Sequence, residues 1–174
     1  MTVSGLNDLV WSILDHYLTL LRETFAERLC AFVVFGSFAR GEAVFPESDV
    51  DLLIVVADEG VGRRSISGRV ELLFALERQL ATCEPYIRFK EATGFSTALQ
   101  EHLLTEEEFK AHPPLLLDLV TDARVLYDTG VFAEEMEVLR ERLEAYGARK
   151  VYAQDGSWFW ILKPDLRLGE VVEL

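Results

Sequence analysis

Apolar side chains recur at Leu6, Val10, Ile13, Tyr17, Leu20 and Leu21. That is the three-to-four spacing of one helical face and predicts a helix over residues 5–28, with Ser4 a suitable N-cap. Trp11 and His16 fall off the stripe. The pattern then changes to a continuous apolar run at 29–35, which predicts a buried strand. Gly36-Ser37 ends that run and opens a turn or short helix over 36–41. Phe45-Pro46-Glu47 reads as a loop, and a second apolar run predicts a strand over 50–57. A turn with two glycines spans 58–64. A helix over 65–82 would carry Val70, Leu73, Phe74, Glu77, Leu80 and Ala81 along one side until Glu84-Pro85 breaks it. Residues 86–95 fit no single period.

A third strand is predicted over 97–104. Thr105 and Glu108 then stand at the N-cap and N3 positions of a capping box. Pro113-Pro114 stops that helix. A helical stretch follows over 115–121, and a short strand over 123–128. Residues 131–146 form a strong amphipathic helix, with Phe132, Met136, Leu139, Leu143 and Tyr146 on one face and Gly147 placed to end it. The tail, 148–174, contains Trp158, Phe159 and Trp160, which read as core or interface residues. This order predicts an α+β, two-layer domain: a small mixed β-sheet with helices packed on it. We expect one domain over 1–174, with a core at about 5–128 and a C-terminal helix and tail at 129–174.

Composition narrows the function classes. Half of the 174 residues are apolar, enough for a sizeable core. No apolar run reaches the length of a membrane span, and the N-terminal segment lacks the order of a signal peptide. Cys30 and Cys83 are unclustered, which argues against a zinc site or a disulfide scaffold and favours a reducing cytoplasm. His16, His102 and His112 follow no metal spacing. The net charge of −13, with no basic tract, suits a small-molecule or protein partner better than a long nucleic acid.

The candidate chemistry lies in the second apolar run, Ser48-Asp49-Val50-Asp51-Leu52-Leu53-Ile54. Asp49 and Asp51 are one residue apart, so on a strand they share a face. Two carboxylates held that close repel and lose water, and a hard cation relieves both costs. Gly36 and Ser37, at the end of the preceding strand, suit a polyphosphate: glycine admits close backbone approach, and successive amides make an anion-binding nest. Arg40 fits either a contact to the triphosphate or a salt bridge that fixes the loop.

The segment FGSFARGEAVFPESDVDLLIVV resembles the signature of the DNA polymerase β-type nucleotidyltransferase superfamily. Phe35, Gly36, Ser37, Asp49, Val50 and Asp51 match it. The inner pattern of Gly36, Ser37, Ala39, Arg40 and Gly41 is similar to the minimal prokaryotic nucleotidyltransferases, kin to kanamycin nucleotidyltransferase. The resemblance implies transfer of a nucleoside monophosphate from a nucleoside triphosphate to a hydroxyl of a small molecule or protein, with release of pyrophosphate. It implies Mg²⁺ held by Asp49 and Asp51, and nucleotide phosphates held by Gly36, Ser37 and Arg40. It also implies a third carboxylate on a later strand. The best match is Glu101, whose neighbours Gln100 and His102 would point to the other face. A second reading is an antitoxin-type domain that binds, adenylylates or neutralises a HEPN-type toxin partner. A third is a nucleotide-binding regulator without chemistry. A homodimer stays open.

Overall fold

The computed structural model describes residues 3–57, 60–62, 64–153, 158–167, 169–172 and 174, with the backbone alone for residues 3 and 4. Asp58, Glu59 and Arg63 of the expected glycine turn, and the capping side chain of Ser4, lie outside that description.

Helix α1 (Val3–Phe25) buries most of the stripe read from the sequence: Val10, Ile13, Tyr17 and Leu21 are fully covered, Leu6 and Leu20 are partly covered, and Leu14, outside the stripe, is buried as well. Each aliphatic member contributes roughly 1.5–3 kcal/mol relative to an exposed position. Trp11, off the stripe, packs its ring at 4.6 Å from Phe38, and His16 is exposed. A single 3-10 turn leads into β1 (Leu29–Phe35), followed directly by the short helix α2 (Gly36–Arg40) and then β2 (Val50–Val56). Helix α3 (Ile66–Leu80) is capped by the Ser65 hydroxyl, which accepts from the Gly68 amide.

Helix α4 (Glu84–Thr93) occupies the stretch that showed no clear period. Pro85 starts this helix and does not end the previous one, which stops at Leu80, because proline at the first turn lacks only an amide that would be unpaired anyway. Strand β3 (Leu99–Thr105) ends in the predicted capping box, with Thr105 and Glu108 each accepting the other's backbone amide, and opens α5 (Glu106–Lys110). Then come α6 (Leu116–Asp122), β4 (Arg124–Asp128) and α7 (Val131–Tyr146), closed by Gly147 at φ +66°. The tail adds an unforeseen hairpin, β5 (Arg149–Tyr152) with β6 (Trp158–Ile161).

The four-stranded sheet runs in the order β3-β2-β1-β4, with β2 and β3 parallel and the other neighbours antiparallel. It is the small mixed sheet expected. Helices cover both of its faces. Val50, Leu52, Ile54 and Val56 of β2 pack with α1, α3 and α4, whereas Leu53 and Val55 pack with α5, α6 and α7. Full burial on both faces is why β1 and β2 read as unbroken apolar runs. The assigned side of α3 needs correction: Leu73, Leu76 and Leu80 face inward, while Val70 and Phe74 are 41% and 55% exposed. No described helix is long and apolar enough to cross a membrane.

Candidate active site

Antiparallel pairing sets Asp51 of β2 against Phe35 of β1, so the carboxylate lands beside the first residue after β1, which is Gly36. Gly36 has φ +71°, and a Cβ built there would sit 2.0 Å from Asp51 Oδ2. Only a glycine leaves room for this carboxylate against the backbone. Asp49 lies just before β2, and the Asp51 carboxyl is pushed above its ordinary range, first by burial and then by the charges of Asp49 and Asp118. Arg40 opposes that shift.

The α2 turn is pinned from several sides. Phe38 packs at a tilt against Trp11 and meets Phe45 at 5.5 Å. Arg124 donates to the Ala39 carbonyl at 2.6 Å. Arg40 donates to Glu42 at 2.7 Å and to Asp122 of α6 at 3.0 Å. Of the two roles open to Arg40, the structure shows the salt bridge. Ser48 accepts the Val44 amide at 2.8 Å and closes the loop that delivers Asp49.

Glu101 does not join the aspartates. Parallel pairing sets it beside Leu52, and its side chain shares the face of Leu99 and Leu103, toward α1. The register partner of Asp51 on β3 is Gln100, an exposed amide, and His102 points the same way, its ring 5.7 Å from Phe35. The alternation of β3 expected from sequence was right, but the face that meets the aspartates belongs to Gln100 and His102. Glu101 instead accepts from the hydroxyl of fully buried Tyr17 and meets Glu77 of α3. A buried tyrosine hydroxyl needs such a partner. Burial, then the hydrogen bond with Glu77, pushes the Glu101 carboxyl up to about 8, and the Tyr17 donor opposes this. The phenol of Tyr17 is in turn raised, chiefly by burial.

A carboxyl raised from its ordinary 4.5 to about 8 favours the folded state most below pH 4.5. The advantage fades as pH rises through about 8, where the folded protein must carry the buried charge. Glu101→Gln keeps an acceptor for Tyr17 and a donor for Glu77 without any charge. The variant should melt close to the wild type at pH 5 and several degrees above it at pH 9. Thermal denaturation across that range is the check, and parallel curves would show that Glu101 is not the titrating group.

Two acids that sequence reasoning did not single out complete the neighbourhood. Asp118 and Asp122 stand one turn apart on α6 and face the α2 loop. Burial raises the Asp118 carboxyl, Asp122 adds to this, and Lys150 and Arg40 oppose it. Their sequence signal is only an i, i+4 pair on a short helix, which by itself says nothing about where the helix docks.

The residues present fit a hard divalent cation. Two carboxylates stand at the start of β2, one of them held against backbone that a Cβ would fill, and their charges are mutually costly without a cation. Among the described residues, no three His, Cys, Asp or Glu side chains converge on a common metal position. Magnesium keeps several of its waters, so two protein carboxylates are a sufficient set.

The site is thus a glycine turn beside an Asp-x-Asp strand in a small mixed sheet. Residues 18–127 match the nucleotidyltransferase domain family, and the chain belongs to that family. It is 27% identical over 124 residues to an inferred protein adenylyltransferase of Methanocaldococcus jannaschii, a match covering 70% of this chain and 74% of that protein. Among solved structures, it is similar to a toxin–antitoxin assembly with AMP-PNP, at 20% identity and a TM-score of 0.42, covering 74% of this chain and 86% of that one. A complex of tri-AMPylated Shewanella oneidensis HEPN toxin with its MNT antitoxin matches at 18% identity and a TM-score of 0.40, covering 75% and 86%.

Proposed function

We propose that this nucleotidyltransferase moves a nucleoside monophosphate from a nucleoside triphosphate to a hydroxyl group of a protein side chain or small molecule. The observation that carries the reading is the seat of Asp51 against Gly36, which joins a would-be cation ligand to a phosphate-accepting turn within one van der Waals contact. In the reaction the acceptor oxygen bonds to the α-phosphorus and gives up its proton. The bond from the α-phosphorus to the bridging oxygen breaks, and pyrophosphate leaves with the electron pair.

Asp49 and Asp51 would hold Mg²⁺, which when bound supplies positive charge against the phosphates and the acceptor oxygen. Gly36 and Ser37 would take the outer phosphates with backbone amides and the Ser37 hydroxyl. Arg40, already at the edge of the turn, would add a forked donor. The fixed loop around α2 supplies orientation, which is most of what a protein contributes to phosphoryl transfer.

The similarity to an inferred protein adenylyltransferase favours ATP as donor and a protein hydroxyl as acceptor. A HEPN-type partner would be one such acceptor. Binding of ATP, GTP, CTP and UTP should depend on Mg²⁺, because uncompensated carboxylates repel a polyphosphate. Calorimetry with and without Mg²⁺ tests the binding step, and equal affinity in both conditions would refute it. Incubation with each α-labelled nucleotide, Mg²⁺ and cell extract should place label on a protein band, and only from ATP. Label on RNA alone would overturn the acceptor assignment.

A further inference from the structure

Asp122 Oδ2 is shared by two cations. Arg40 Nη1 reaches it at 3.0 Å from the α2 turn, and Lys150 Nζ at 3.6 Å from β5. Lys150 lies beyond the matched family domain, in the hairpin that the sequence pattern did not reveal. Its side chain is only 9% exposed, and its ammonium stands 4.0 Å from the Trp158 ring centroid. An ammonium this covered is costly unless nearby acids use its charge. Those acids are Asp122, which it contacts, and Asp118, where it is the strongest influence favouring the ionised form.

The charge balance at this end of the sheet makes the position matter. Asp49, Asp51, Asp118, Asp122 and Glu42 surround the α2 turn, and Arg40 is bound to two of them. A triphosphate arriving at Gly36-Ser37 would meet mostly negative charge. Lys150 sets a positive charge against the α6 wall and meets the same Asp122 oxygen that holds Arg40.

We propose that Lys150 is a positioning residue for nucleotide binding: it competes with Arg40 for Asp122 and so frees the guanidinium to turn toward a bound triphosphate. The inference rests on the nucleotide reading above. The C-terminal hairpin thereby becomes part of the nucleotide site, reaching it through α6.

The test uses the full chain with Mg²⁺ and a non-hydrolysable ATP analogue, read by calorimetry, together with steady-state transfer kinetics and thermal melts. Lys150→Met should weaken analogue binding about tenfold and raise KM to match, with kcat within about twofold of wild type. Lys150→Arg should retain most of the affinity. Adding Asp118→Asn to Lys150→Met should recover most of the loss, because it removes one of the acids left unbalanced. A merely structural lysine would not be rescued by a change of charge on another helix. Asp118→Asn alone, which leaves the lysine packing intact, should tighten analogue binding, and this arm decides the matter if Lys150→Met does not fold. Wild-type affinity in Lys150→Met, no recovery in the double variant, or unchanged or weaker binding in Asp118→Asn would each overturn the proposal. A wild-type protein that binds no nucleotide would overturn the nucleotide reading itself and this inference with it.

Discussion

Asp51→Asn should leave less than about one hundredth of the wild-type transfer rate while the protein stays folded. The amide has the shape of the carboxylate, so it still fits over Gly36, where the Asp51 oxygen would lie 2.0 Å from any Cβ. It lacks the charge that a hard cation requires. In the metal-free protein that charge is a liability, because burial and the neighbouring charges of Asp49 and Asp118 all disfavour the ionised form. The variant should therefore melt at or above the wild-type temperature in the absence of metal, and Mg²⁺ should no longer raise the melting temperature of the nucleotide-bound protein. Label transfer and thermal melts with and without Mg²⁺ provide the readout. Wild-type turnover in Asp51→Asn would place the reaction centre elsewhere.

Gly36→Ala should damage folding and binding together. At φ +71° an alanine costs roughly 1–2 kcal/mol from backbone strain alone. For a chain of this length that corresponds to a fall of about 2–8 °C in melting temperature. The new methyl would also overlap Asp51 Oδ2, so the carboxylate must swing away from its seat. Metal-dependent nucleotide binding should then fall at least about tenfold even well below the melting temperature. Gly41→Ala is the control. Gly41 has a similar φ of +77° but nothing within 4 Å of its added Cβ, so it should show the strain and keep the binding. Equal loss of binding in both variants would mean that strain in the loop matters and contact with Asp51 does not.

Much of the fold was legible in the chain because its signals are local. The stripe of α1, the capping box at Thr105 and Glu108, and the span and end of α7 depend on residues three or four apart, and the structure reproduces them. The unbroken apolar runs of β1 and β2 register burial on two faces, and they appear as central strands. Helix α4 was missed because Pro85 reads as a breaker but stands in the first turn of a new helix, where a proline is tolerated. The β5–β6 hairpin was missed because its strands are four residues each and half exposed, too short to establish a period.

The candidate site divides along the same line. Gly36 with Ser37, and Asp49 with Asp51, were readable because each pair sits on neighbouring residues and β1 and β2 adjoin in sequence. Which carboxylate would stand third was not readable. Period-two alternation states that Glu101 and Gln100 face opposite sides of β3, but not which side meets Asp51, because that depends on the register of a parallel pairing across some fifty residues. The structure gives Glu101 to Tyr17 and Glu77 and brings Asp118, Asp122 and Lys150 toward the aspartates from α6 and β5. The sequence alone thus determined the local elements and the Gly-Ser and Asp-x-Asp pairs, since short-range sterics and burial enforce them. Tertiary packing alone decided which acids share a face with Asp51, since long-range register and helix docking set that choice.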